Sequence, residues 1–433
     1  MNEAAEPAAE PATEQIREEI HAMGRMARKA AHAMAGLDTD RKNAILGAMA
    51  GGLRAHASGI LAANRKDLAA GEAAGLSPAM LDRLRLDERR VDAVARGIGQ
   101  VAGLSDPVGE VLGEWTRPNG MRIEQVRVPI GVIGIIYESR PNVTSDAAAL
   151  CLKSGNVTIL RGGSEAIHTN RAIAAALQAG GGEAGMPVGA VQLIPFTSRE
   201  SVKVMAGMER HLDLIIPRGG KGLIETVVSM ARMPVIKHYD GICHVFVDRA
   251  AEPGMAEAIV VDAKTQKPSV CNAMETLLVH EAVAGEFLPR AAANLKGRGV
   301  ELRGCPRTLA ILGAGTVPAT EEDWRTEYLD LVLSVKVVPS LDAAVEHINA
   351  FGSQHTDCIV TDDKAAAERF LREVDSACVF HNLSTRFSDG EEFGFGAEIG
   401  ISTGKLHARG PMALRELTSY QYRVRGEGQV KGG

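Results

Sequence analysis

From residue 131 onward the chain alternates short apolar runs with longer helix-forming ones, and no other feature restricts its fold as strongly. Residues 131–137, 157–160, 191–194, 214–216, 235–238 and 244–247 read as strands, with helices at 143–153, 166–178, 200–208 and 220–231 between them. Nearly unbroken apolar strands joined by helices build a parallel sheet covered on both faces. The predicted class is therefore α/β, with a doubly wound sheet whose ligands bind beyond the carboxyl ends of the strands. After a buried strand at 276–280, strands at 309–312, 333–338 and 358–360 alternate with helices at 341–350 and 364–374 as a second α/β unit.

Upstream, residues 1–13 are low-complexity Ala, Glu and Pro, a composition that favours disorder. Helices follow at 14–35, 41–55, 60–71, from Pro78, and at 87–100, a packing layer without assigned chemistry. The segment 114–129 alternates instead: Met121 and Ile123 are apolar, then Val126 and Val128, with a one-residue slip at Gln125. A slip of one is what a β-bulge produces, so this reads as a hairpin or edge strand. The tail 402–430 is polar and irregular except for a strand-like run at 417–424.

At 433 residues the chain exceeds one ordinary core, so two or three domains are expected. A net charge of −6 argues against a nucleic-acid partner. The six cysteines are scattered without a CxxC pair, which fits reduced thiols rather than a zinc ribbon or a disulfide framework. Cys243 and His244 are adjacent, but strand neighbours point to opposite faces, so no metal site is expected. The early acidic residues do not resemble a targeting peptide, and the longest apolar run, 128–137, is too short to span a membrane. A cytoplasmic protein is expected.

Cys271 sits between a helix-prone run at 255–263 and the strand at 276–280, a junction that exposes side chains. Near Lys264 and Lys267 its thiol could ionise readily and act as a nucleophile. The bland alternative is a small buried hydrophobe. Tyr137-Glu138-Ser139-Arg140-Pro141-Asn142 ends a strand and opens a helix, with Asn142 able to cap it. Arg161-Gly162-Gly163-Ser164 and Arg218-Gly219-Gly220-Lys221 each follow a strand and precede a helix, where glycines admit a ligand to free N–H groups. Gly162-x-Ser164-x-Ala166 approaches a nucleophile elbow, but the last glycine is missing and no acid–His pair accompanies it. Glu327 lies in a polar loop, and Ser384-Thr385-Arg386 opens a long Gly-rich one.

These stretches, in this order from about 127 to 422, resemble the γ-glutamyl phosphate reductases of the aldehyde dehydrogenase superfamily. The resemblance implies an aldehyde dehydrogenase-like fold. A Rossmann-type cofactor-binding domain would span 14–113 and 130–240 with part of 375–405, and a catalytic domain 241–374. A small β oligomerisation element would comprise 114–129 and 406–433. It implies Cys271 as nucleophile and Asn142 as oxyanion donor. Arg161, with Gly162, Gly163 and Ser164, would meet the adenosine ribose; an arginine there suits a 2′-phosphate, hence NADPH/NADP. Arg218, Gly219 and Gly220 would meet the pyrophosphate, and Glu327 the nicotinamide ribose. Glu138, Arg140, Ser384, Thr385 and Arg386 would line the substrate.

Hydrolytic relatives carry a water-activating Glu ahead of the nucleophile; here that position falls at about His238, which favours a reductase. The implied reaction is NADPH-dependent reduction of L-glutamyl 5-phosphate to the 5-semialdehyde through a cysteine thioester, in proline biosynthesis. A hydrolytic NAD(P)-dependent aldehyde dehydrogenase is the alternative, and a non-catalytic binding paralogue a third reading. A homodimer or homotetramer is implied, with transient contact to glutamate 5-kinase as the source of the acyl phosphate.

Overall fold

The computed structural model describes residues 13–138 and 140–431; of the segment 1–13 expected to be disordered, residues 1–12 lie outside the described residues, and Thr13 already begins a helix. The helical layer comprises α1 (Thr13–Met34), α2 (Thr39–Ala55), α3 (Ala57–Ala73), α4 (Pro78–Leu84) and α5 (Glu88–Gly103). Three of these begin on side-chain caps. Asp38 accepts from Arg41 N at 2.8 Å, Ser77 from Met80 N at 3.3 Å and Asp87 from Arg90 N at 2.6 Å. Each cap satisfies an N–H that the first turn leaves without a helical partner.

The hairpin follows as β1 (Val111–Thr116) and β2 (Arg122–Pro129), antiparallel. The irregularity expected at Gln125 is present, but the extra residue, Leu112, belongs to the partner strand, opposite Gln125 and Val126. Either strand can carry a bulge that shifts the facing pattern.

Next come β3 (Val132–Tyr137), α6 (Asn142–Lys153), β4 (Val157–Gly162), α7 (Ile167–Glu183), β5 (Val191–Leu193), α8 (Arg199–Ala206), β6 (Leu214–Arg218) and α9 (Lys221–Met230). The four strands form a parallel sheet in the order β5-β4-β3-β6. The chain steps outward from β3 to β5 and then returns to the other side of β3. That reversal opens a crevice at the carboxyl ends of β3 and β6, where doubly wound sheets bind ligands. The strand expected at 235–238 is reduced to one bridge, Val235 beside Ile215. Pro234 lacks the N–H that a longer ladder would use.

A second run comprises β7 (Cys243–Val247), α10 (Pro253–Thr265), β8 (Met274–His280), α11 (Glu281–Gly297), β9 (Glu301–Gly304), α12 (Pro306–Leu312), β10 (Val317–Pro318), β11 (Val332–Val338), α13 (Leu341–Phe351), β12 (Thr356–Val360), α14 (Lys364–Glu373) and β13 (Cys378–His381). Its seven strands are all parallel, in the order β10-β9-β11-β8-β7-β12-β13. Every residue of the central β7 and of β12 is buried. The expected strand at 309–312 is instead the end of α12, which Pro306 starts in its first turn. The strand is β9, disguised by Glu301 and Arg303; Arg303 pairs with Asp323 at 2.7 Å. A two-stranded antiparallel ladder, β14 (Ile401–Ser402) and β15 (Gly410–Pro411), follows. Finally β16 (Thr418–Arg425) joins β2, giving a three-stranded sheet β1-β2-β16.

The chain divides into two compact units. The first is Met1–Ile236 with Phe395–Gly400 and Met412–Gly433, and therefore includes the hairpin and β16. The second is Lys237–Gly394 with Ile401–Pro411. None of the helices among the described residues is long and apolar enough to cross a membrane.

Candidate active site

In the second unit, three segments end at the amino ends of adjacent parallel strands. The segment before β7 brings His238, that before β8 brings Cys271, and that before β12 brings His355. Strand order β8-β7-β12 makes them neighbours. One nitrogen of each imidazole and the thiol sulfur lie within 4.8 Å of one another. The chemistry of this unit thus gathers at amino ends, whereas the rule for such sheets points to carboxyl ends.

Each imidazole is held from behind. His238 Nδ1 meets Ile401 O at 2.9 Å, and His355 Nδ1 meets Thr356 Oγ1 at 2.9 Å. The rings stack edge-on with centroids 5.4 Å apart. His355 Nε2 is buried and, apart from its interaction with the Cys271 thiol, has no hydrogen-bond partner among the described residues.

The Cys271 loop is likewise tied down. Asn272 Nδ2 donates to Ser388 O at 2.9 Å and Arg386 O at 3.3 Å, and Cys243 Sγ donates to Cys271 O at 3.2 Å. Gly241 passes so close that a Cβ there would come within 1.9 Å of Cys271 O, and only glycine permits that approach. Gly241 N–H donates to Glu327 Oε1 at 2.9 Å. Burial pushes the Glu327 carboxyl up to about 7, against the Gly241 hydrogen bond and with help from the charges of Cys271 and Asp240.

Cys271 is half-buried while the other five cysteines are fully buried. Burial opposes ionisation of its thiol. The charge of His355 and hydrogen bonds from His238 and His355 outweigh that, and hold the thiol well below its ordinary range. The expected lysine activation is corrected here. Lys264 is fully buried and spends its ammonium on Glu275 at 2.6 Å, so the groups acting on the thiol are histidines. Alkylation of Cys271 by iodoacetamide should therefore stay fast at pH values where an ordinary thiol, pKa about 8.5, is mostly protonated. In His355→Ala the midpoint of the pH–rate curve should rise, because a thiolate-stabilising partner is lost. A wild-type midpoint at about 8.5 would show that the imidazoles do not act on the sulfur.

Sequence reading missed His355. It is a lone histidine between Gln354 and Thr356, and only the pairing of β12 with β7 brings it to the thiol. Of the residues expected at the substrate, Ser384 and Thr385 are buried, and Ser384 Oγ accepts from Arg386 N at 3.3 Å as a local cap. Arg386 is less enclosed and donates to Gln266 Oε1 at 2.9 Å.

In the first unit the carboxyl ends of β3, β4 and β6 carry the other expected residues. Glu138 Oε2 accepts from Gly220 N at 3.1 Å, joining the ends of the two strands, and Gly220 begins α9. A Cβ on Gly220 would meet nothing within 4 Å, so the turn has room for a bound group against the helix N-terminus. That openness, with Arg218 on the adjoining strand end, fits a phosphate-bearing cofactor. Arg140 is exposed at the same end of β3. Asn142 does not cap α6. It is the first helical residue, and its amide donates to Asp146 Oδ2 at 2.8 Å. Burial pushes Asp146 up to about 6, against the Asn142 hydrogen bond and the Arg218 charge. Gly162 is packed, since a Cβ would strike Asn170 Nδ2 at 2.2 Å, while Gly163 and Ser164 lead into α7. Arg161 is only 8 % exposed and donates to Thr197 O at 2.6 Å, Ser198 O at 3.3 Å and Ser201 Oγ at 3.3 Å.

The sequence pattern of the aldehyde dehydrogenase family matches residues 4–301. The γ-glutamyl phosphate reductase of Moorella thermoacetica is 56% identical over 413 residues, covering 95% of this chain and 99% of that protein. The chain belongs to the γ-glutamyl phosphate reductases of the aldehyde dehydrogenase family. The Geobacter metallireducens γ-glutamyl phosphate reductase is likewise 56% identical, over 96% of this chain and 99% of its own length. The crystal structure of the Thermotoga maritima γ-glutamyl phosphate reductase superposes with a TM-score of 0.94 at 46% identity, covering 95% of this chain and all of that one. The enzyme is thus an oxidoreductase with the aldehyde dehydrogenase fold, and its family uses a nicotinamide cofactor.

Proposed function

We propose that this enzyme reduces L-glutamyl 5-phosphate to L-glutamate 5-semialdehyde and phosphate with NADPH, a step of proline biosynthesis. The observation that carries the reading is the Cys271 thiol beside the His238 and His355 imidazoles; the family resemblance puts His238 at about the position where hydrolytic relatives carry a carboxylate. Cys271 thiolate attacks the acyl carbon, the carbon–oxygen bond to phosphate breaks, and phosphate leaves with the electron pair. A thioester remains on Cys271. Bound NADPH supplies the hydride that reduces it. His238 and His355 then stabilise the sulfur as its bond to carbon breaks and the thiolate returns. Arg218, Gly219 and Gly220 are the residues proposed to hold the cofactor phosphates, and Glu327 its nicotinamide ribose. Supplied with enzymatically generated γ-glutamyl phosphate, the enzyme should oxidise one NADPH per phosphate released. Phosphate release uncoupled from NADPH oxidation would refute the reading.

Arg161 carries the preference for NADPH. Thr197 O, Ser198 O and Ser201 Oγ help to orient the guanidinium. Arg161→Gln should raise KM for NADPH about tenfold or more beyond any effect on NADH, the scale of one charge-assisted hydrogen bond. Equal losses for the two cofactors would leave Arg161 only the task of holding the 197–201 loop.

The three-stranded sheet is proposed as a subunit interface. Trp115, Ile123 and Val424 stand directly opposite one another across β1, β2 and β16. Trp115 and Val424 are 41% and 55% exposed, and the neighbouring Tyr422 57%. Such an apolar row on a sheet is normally covered. Aspartate at Ile123 and Val424 together should shift the protein to a smaller species in sedimentation, and an unchanged mass would refute the interface.

A further inference from the structure

The trio at the thiol has a second chemistry that reduction does not use. Two imidazole nitrogens and one sulfur within 4.8 Å are the donor types of a three-ligand zinc site. Their surroundings match as well. His238 is held through Nδ1 on Ile401 O and His355 through Nδ1 on Thr356 Oγ1, the kind of outer contact that orients metal-binding histidines. His355 is 0% exposed, and apart from its interaction with the Cys271 thiol its Nε2 has no hydrogen-bond partner among the described residues. Zinc–nitrogen and zinc–sulfur bonds of about 2.0–2.3 Å put tetrahedral ligands roughly 3.5 Å apart, so no pair in the trio needs to draw in by more than about 1.3 Å. Cys271 lies in a loop and is half-buried, so the sulfur has room to move and a fourth position can hold water.

We propose that His238, Cys271 and His355 form an inhibitory site for a borderline-soft divalent cation of the zinc class. The ion takes the sulfur as thiolate, and a thiol proton, where present, passes to solvent. Hard ions such as magnesium, which demand oxygen ligands, are excluded by the donor set. Binding itself is independent of the catalytic reading. The loss of turnover rests on it, since the ion occupies the nucleophile.

Cobalt(II) is the probe, because a cobalt–thiolate bond gives a near-ultraviolet charge-transfer band that can be read on the resting enzyme without turnover. The full-length protein should bind one cobalt per chain with this band, and zinc should displace it. Cys271→Ser should lose the band, while Cys243→Ser, which changes the neighbouring buried thiol, should keep it. His355→Ala should weaken zinc at least about tenfold. In parallel, zinc should abolish reductase turnover and EDTA restore it. Absence of the band from the wild-type protein, or its persistence in Cys271→Ser, overturns the site. A normal band with undiminished turnover in saturating zinc overturns the inhibition, and with it the role of Cys271 in the reaction.

Discussion

Cys271→Ala should retain less than about a hundredth of wild-type turnover, since deleting a nucleophile removes the covalent route and leaves only binding. Folding should be nearly unaffected. The loop is held by backbone and Asn272 contacts that alanine preserves, and the Cys243 thiol donates to the backbone oxygen of residue 271. Binding of NADPH, read by fluorescence, should also persist. The prediction is checked by single-turnover kinetics and thermal melting on the same preparation. Turnover above a few per cent would remove Cys271 from the mechanism.

The largest effect on stability is expected at the buried pair Lys264–Glu275. Both side chains are fully buried, 2.6 Å apart. Burial pushes Glu275 up to about 7 and pushes Lys264 down, while their direct contact opposes both shifts. Glu275 also accepts from Leu329 N at 3.1 Å, where Leu329 holds a positive φ of 53°, a conformation that costs a non-glycine residue and must be held by its neighbours. Glu275→Leu therefore strands a buried amine and frees the loop that bears Glu327. It should cost about 3–5 kcal/mol, the usual effect of breaking one side of a buried ion pair. Pairing it with Lys264→Met should recover much of this in chemical denaturation, because the uncompensated charge is then gone. If the double variant is no more stable than Glu275→Leu, hydrogen bonding to Leu329 rather than the ion pair sets the stability.

The parallel sheets could be read from the sequence because their strands are short, apolar and separated by helices with recognisable starts. The residues alone showed Cys271 only as a thiol at a helix–strand junction, with a buried hydrophobe as the alternative, and it was the resemblance of its stretch to the family that singled it out. What failed to show was whatever depended on strand order. His355 has no neighbouring signal, and its role comes from β12 lying beside β7. Glu301 and Arg303 hid β9 because an ion pair with Asp323 lets a charged strand pack. Lys264, close to Cys271 in sequence, is turned away by a partner eleven residues on that no local pattern links to it. Arg161 was recognisable as a cation at a strand end, but its engagement with the 197–198 carbonyls was not.

The most direct test runs the reaction backwards: glutamate 5-semialdehyde with NADP⁺, with and without inorganic phosphate. An acyl-enzyme at Cys271 flanked by His238 rather than a carboxylate should await phosphate, so NADPH should accumulate beyond one equivalent per active site only when phosphate is present, with acyl phosphate as the product. Sustained NADPH formation without phosphate, yielding glutamate, would contradict the account and make this protein a hydrolytic aldehyde dehydrogenase.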